Sequence, residues 1–221
     1  MGIAELNETT NSLTITANLY FYGDAANEAL SFRIGEDINS HWNIPDGHAI
    51  IAGKKYKIIF SVKGLYAAQL TQADVNSNDD PLNNYFRIEE FASGNISFVD
   101  GINSNTGYFK LDNLLNNSTT AAHEFGHTIS LVHPHELDIR GSGVPGIMYP
   151  RGTICDPAYQ YDPAAEPLAP GGTMNPFHRK VLQQDIDDLH LEKLPFNRDG
   201  RAVLGDFTSI WHYPHTGEAF A

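Results

Sequence analysis

Three histidines and a glutamate carry the strongest chemical signal in this chain. Residues 123 to 133 read His-Glu-Phe-Gly-His-Thr-Ile-Ser-Leu-Val-His. On a helix, His123 and His127 are four residues apart and project from one face, with Cβ atoms roughly 5–6 Å apart. That spacing lets both imidazole Nε2 atoms reach one metal ion at about 2.0–2.1 Å. Glu124 follows the first histidine, where it can act on a water as general base without ligating the metal itself. His133 is too far along to share the helical face, so the chain must turn sharply after about Ser130 and bring it back to the metal. Three protein nitrogens with a fourth position open describe a catalytic zinc site rather than a structural one.

A second segment, Val144-Pro145-Gly146-Ile147-Met148-Tyr149-Pro150, supplies a methionine-bearing turn. Together the two segments resemble the signature of the metzincin zinc peptidases, HExxHxxGxxH followed by a methionine turn. The match is most similar to the matrixin branch, the matrix metalloproteinases and their bacterial relatives. The specific motifs cover about residues 120–150; elsewhere the similarity is one of element order. Carried over by position, the resemblance implies one catalytic Zn2+ held by His123, His127 and His133. It also implies Glu124 as the catalytic base and Met148 packed beneath the metal. Pro150 stands where some branches place a ligating tyrosine, so that ligand is not assigned. The implied reaction is hydrolysis of peptide bonds in an extended protein or peptide substrate.

One residue departs from the pattern. The family has glycine at the turn between the second and third histidines, and this chain has Ser130. Glycine tolerates positive φ there without a Cβ clash, whereas serine pays about 1–2 kcal/mol. Metal binding, worth roughly 10 kcal/mol or more, offsets that easily. If the turn differed, His135 would be the substitute ligand, with Glu136 and Asp138 weaker ones. Met174, in Gly172-Thr173-Met174-Asn175, is a rival for the methionine turn.

These residues need a scaffold to position them. Leu13, Ile15, Ala17, Leu19 and Phe21 alternate with polar or edge residues at the period of a strand. Asp24 is a plausible N-cap for a helix with the stripe Ala26, Leu30, Ile34, Ile38 and Trp42, a core face by its spacing. Residues 48–52 and 56–63 read as a hairpin around Gly53-Lys54-Lys55, and 84–91 as a further strand. The Asn/Asp-rich tract 73–82 with Pro81 reads as a loop. Asp79 and Asp80 match no calcium-site spacing, so Ca2+ has no support as a second cofactor. Short strands are expected at 95–100 and 106–110, and the resemblance makes Asn95 to Asp100 the rim of the cleft, free to pair with substrate backbone. Ser118, Thr119 and Thr120 cap the metal helix. Beyond it Pro134, Pro145, Pro150, Pro157, Pro163, Pro167 and Pro170 indicate an irregular region. Asn175-Pro176 opens a final helix whose buried face is Leu182, Ile186 and Leu189.

The expected fold is therefore α+β and metzincin-like: a mixed, twisted five-stranded sheet with an active-site helix, a backing helix and a small irregular lower subdomain ending in a helix. It is one domain, with residues 1–133 as upper subdomain, 134–195 as lower subdomain and 196–221 as an extension. His212 and His215 in that extension read as part of an exposed tail, and His41 and His48 as solvent or packing residues.

Composition narrows the partners. Fourteen basic against twenty-seven acidic residues give a formal charge of −13. That disfavours nucleic acid and anionic membrane surfaces, both of which demand positive patches. The single cysteine, Cys155, permits no internal disulfide; it is expected to be a buried or idle thiol, with a thiolate on zinc as the minority alternative. No stretch approaches the ~18 apolar residues of a membrane span. The N-terminus has neither a basic segment nor an apolar run, so a secreted monomer is expected, either processed or exported by a route needing no signal. The leading function is a secreted zinc endopeptidase. The alternatives are a toxin-like effector protease with one protein target and a non-catalytic zinc-binding module.

Overall fold

Ser12–Tyr22 (β2) is the strand from which the rest is built. Its inward side chains Leu13, Ile15, Ala17, Leu19 and Phe21 are all buried. In the computed structural model, which describes residues 1–116, 118–166, 169 and 171–216, β2 pairs in parallel from Ser12 to Phe21 with Lys54–Tyr66 (β4). Its other edge is shared. Gly2–Asn7 (β1) lies antiparallel against the first half and Asn83–Glu89 (β5) parallel against the second. His48–Ile51 (β3) forms the expected hairpin with β4. Thr106–Lys110 (β7) follows β5 in parallel, and the two-residue Phe98–Val99 (β6) ends this side of the sheet. Arg201–Leu204 (β8) closes onto β1. The protein is thus a mixed α+β fold with a curled, mixed sheet of eight strands, in place of the five expected. β1 and β8 were not legible because they are short and only half apolar.

Glu28–Trp42 (α1) backs the sheet through Leu30, Ile34, Ile38 and Trp42. Its N-cap is Asn27, whose Oδ1 accepts the Leu30 amide at 2.9 Å, and not Asp24; the chain needs three further residues to leave β2. Gly35 and Gly64 let α1 approach β4 at backbone distance, since a Cβ on Gly64 would overlap the Ser31 carbonyl. Beyond the end of β3, Asn39 of α1 and its C-cap residue Asn43 complete the β4 ladder. Asn39 exchanges bonds of 2.7 and 2.8 Å with Val62, and Asn43 two of 3.0 Å with Phe60, so these backbone groups stay satisfied.

The tract expected as loop contains a short helix, Gln72–Asn76 (α2), capped by Thr71 with Asp74 reciprocating. The helix that carries His123, Glu124 and His127 is Thr120–Thr128 (α3), in which every residue is buried. No long final helix starts at Asn175. A 3-10 turn at 176–178 gives way to extended Arg179, because the Lys180 amide bonds to the Pro145 carbonyl at 2.9 Å. The helix that follows is only Gln183–Asp187 (α4). The extension is also not an exposed tail: β8 joins the sheet, and residues 206–215 run back across β5 and β7. There Trp211 stacks on Tyr22 at 4.5 Å and His215 on Tyr108 at 4.0 Å. Pro167, Pro170 and the last five residues of the extension, 217–221, lie outside the described residues. Among the described residues, no helix is long and apolar enough to cross a membrane.

Candidate metal centre

Helix α3 is fixed before any metal is considered. Trp42 donates its indole N–H to the Ala122 carbonyl at 3.0 Å and packs against Phe60 and Phe125. On another side Gly126 leaves room for the Met148 side chain, which is buried against it; a Cβ there would collide with Sδ. Met148, not Met174, therefore lies under the helix. Met174 is buried elsewhere, in a small cluster with Ile139 and Cys155. The Cys155 thiol is raised in pKa by that burial and stays out of the metal cluster.

The helix ends in a Schellman motif. The Ser130 amide bonds to the His127 carbonyl at 3.2 Å and the Leu131 amide to the Gly126 carbonyl at 2.9 Å. In this motif the donor of the first bond must be left-handed, and Ser130 has φ 93°. The serine thus adopts the conformation that glycine would, and the turn is preserved. It returns the chain so that His133 Nε2 lies 3.1 Å from both His123 Nε2 and His127 Nε2. His135, Glu136 and Asp138 stay outside this group, and Asp138 pairs with Arg140. Among the described residues, these three histidines are the one cluster able to hold a metal ion.

The tautomers follow from the neighbours. His123 Nδ1 is 2.7 Å from the Ile147 carbonyl and His127 Nδ1 is 2.8 Å from the Leu131 carbonyl. A carbonyl only accepts, so both Nδ1 atoms carry the proton and both Nε2 atoms present lone pairs. The Nε2 of His133 lies 3.1 Å from both lone pairs, so the three ring nitrogens converge on one point that a cation could fill. The edge of a tetrahedron with 2.0–2.1 Å bonds is about 3.3 Å, so the spacing suits such an ion. The two carbonyls are the outer contacts that orient ligating histidines. Burial is the main cause that lowers all three pKa values, that of His123 well below the ordinary 6.5. The imidazoles are therefore held neutral, as ligands must be.

Glu124 faces the same cleft. Burial raises its carboxyl to about 8, with Arg179 and the Val99 backbone amide pulling the other way. Arg179 is itself buried. Its Nε donates to Thr119 Oγ1 at 3.0 Å and its Nη1 to the Tyr149 carbonyl at 3.1 Å. Nη1 also lies 2.9 Å from His123 Nδ1. Because that nitrogen already donates to Ile147, the approach is a close cationic contact and not a hydrogen bond; it further discourages protonation of His123.

Two residues here were missed in the sequence. Arg179 carries no local motif. Asp185 accepts the Leu182 amide at 2.7 Å and lies against the Ile147 and Met148 amides, tethering the methionine turn. Its only local signal is half of a capping box. The expected rim is present in reduced form: residues 95–99 line the cleft, but only Phe98–Val99 pair as a strand. His212 and His215 form no metal pair; His212 bonds to Asp100 at 2.8 Å and His215 accepts the Ser93 amide at 3.0 Å. The cleft measures about 460 Å³ and includes all three histidines, Glu124 and Arg179. No family model matches the chain, and no curated protein matches it in sequence.

Proposed function

We propose that this protein is a zinc-dependent endopeptidase of the metzincin type, secreted, acting on an extended segment of a protein or peptide. The observation that carries the reading is the convergence of three Nε2 atoms, that of His133 3.1 Å from each of the other two, with the Nδ1–H of His123 and His127 fixed by backbone carbonyls, beside a buried glutamate in an open cleft. A donor set of three imidazoles favours zinc among the common ions. When bound, zinc would acidify a water and polarise the scissile carbonyl.

The chain's own residues supply the rest. Glu124, whose proton affinity burial raises above that of an exposed carboxylate, is placed to take a proton from water and return it to the leaving amine. The Val99 amide beside that carboxyl holds it toward the cleft. Strand β6 ends the sheet next to α3, and its unpaired edge would receive the substrate backbone by strand addition. Met148 takes no part in the reaction; it supports α3 from below.

The test is removal and restoration of the metal. The protein is dialysed against a chelator, then given Zn2+ or Ca2+, and cleavage of a peptide library is read by mass spectrometry. Cleavage that is lost on dialysis and returns with Zn2+ alone supports the reading. Cleavage that survives complete zinc removal, or none at full zinc occupancy, rejects it.

A further inference from the structure

The chain has a formal charge of −13, yet the cleft has the opposite balance. Its ionisable walls are the three histidines, Glu124, Arg151 and Arg179, so one carboxylate faces two guanidinium groups. Arg179 is a built feature. It is only 5% exposed, and bonds of 3.0 and 3.1 Å from Nε and Nη1 fix its plane. Among the described residues its Nη2 has no hydrogen-bond partner. Arg151 is exposed at the cleft and forms no ion pair among the described residues. Other arginines of this acidic surface do find carboxylates, as Arg140 does with Asp138 and Arg201 with Glu5.

A metal ion at the histidines would add further positive charge, leaving the desolvated guanidinium of Arg179 short of counter-charge. An apolar substrate group buried there would leave its free N–H donors unpaired, which is costly, and a neutral amide would accept a bond without supplying the missing charge. A carboxylate satisfies them, and the planar fork of arginine matches its geometry. The other lining residues, among them Ile96, Phe98, Val99, Ile102, Asn95, Ser97 and Asn113, are apolar or neutral, so only the arginines suit such a group.

We infer that the cleft selects polypeptide segments with an acidic side chain next to the bond presented to the histidines, and that Arg151 and Arg179 bind that carboxylate. The inference rests on the peptidase reading and adds its substrate class. It is tested without turnover, using two tripeptide hydroxamates that bind zinc and differ only in carrying Glu or Gln beside the hydroxamate. Their affinities for the zinc-loaded wild type, Arg151→Ala, Arg151→Glu and Arg179→Lys are measured by calorimetry.

The expected result is that the wild type binds the Glu probe about tenfold tighter, the scale of one charge-assisted hydrogen bond. Arg151→Ala and Arg179→Lys each shrink the ratio, and Arg151→Glu inverts it. Equal affinities in the wild type, or a ratio untouched in Arg151→Glu, overturn the inference. Exposed Arg151 makes that variant safe for folding. Discrimination between the probes without any library cleavage would sustain the carboxylate site and remove the peptidase reading. Library cleavage with no enrichment of Asp or Glu beside the cut would do the reverse.

Discussion

Ser130 shows how much a single side chain can strain a site without moving it. It occupies the left-handed position of the Schellman turn at φ 93°, where a Cβ costs about 1–2 kcal/mol. Ser130→Gly should therefore stabilise the protein by about 0.5–1 kcal/mol after the entropy of glycine is counted. Chemical denaturation checks this, and a loss of similar size would contradict it. Asp185 makes a second prediction. Burial raises its pKa from 3.8 to about 6, so the folded state holds a proton that the unfolded state has released between those values. Stability accordingly falls as pH rises from about 4 to 6, by up to about 3 kcal/mol. Asp185→Asn cannot ionise, so its stability relative to wild type should improve across that window; parallel curves for the two proteins would contradict the assignment. The histidines and Glu124 were legible because they lie within one helix and one turn. Arg179 and Asp185 were not, because they reach the site from 56 and 62 residues beyond His123 and from a segment whose local pattern suggested continuous helix.

At the scale of elements, α3 is set by what touches it on each side. Met148 fills the space that Gly126 leaves, and the indole of Trp42 holds the Ala122 carbonyl. Gly126→Ala should drive a methyl into Sδ and cost about 2–4 kcal/mol through overpacking, visible as a lowered melting temperature and weakened zinc retention. An unchanged melting temperature would show that Met148 does not support the helix. Sequence periodicity located β2 and α1, since each has an apolar face at the period of its own geometry, and the Gly53 turn placed the β3–β4 hairpin. It failed for residues 176–187. The Asn175-Pro176 pair does start a turn, but the pairing of Lys180 with Pro145 overrides helix propensity and divides the segment.

Across the whole molecule, the returning C-terminal segment ties the sheet to the metal helix. The Asp206 amide bonds to the Asn103 carbonyl at 2.7 Å, and the Asn103 amide bonds to the His127 carbonyl at 2.9 Å. Thr208 and Ser209 amides both meet Asn105 Oδ1 at 2.9 Å. A chain ending at Gly205 should lose at least about 2 kcal/mol, from the aromatic stack and these bonds together. The melting temperature would then fall by about 4–8 °C for a protein of this size; an unaltered value would restore the view of an exposed tail. Polar residues dominate this stretch, so nothing in its sequence announced that it packs.

The central claim is that Glu124 moves the proton in a zinc-dependent hydrolysis, and one comparison tests it most directly. Wild type and Glu124→Gln are brought to equal zinc occupancy, confirmed by elemental analysis, and their cleavage rates on the same peptide library are measured. The account predicts full zinc binding in both and a loss of about 10²–10⁴ in rate for the variant. A variant that keeps its zinc and cleaves at the wild-type rate would contradict it.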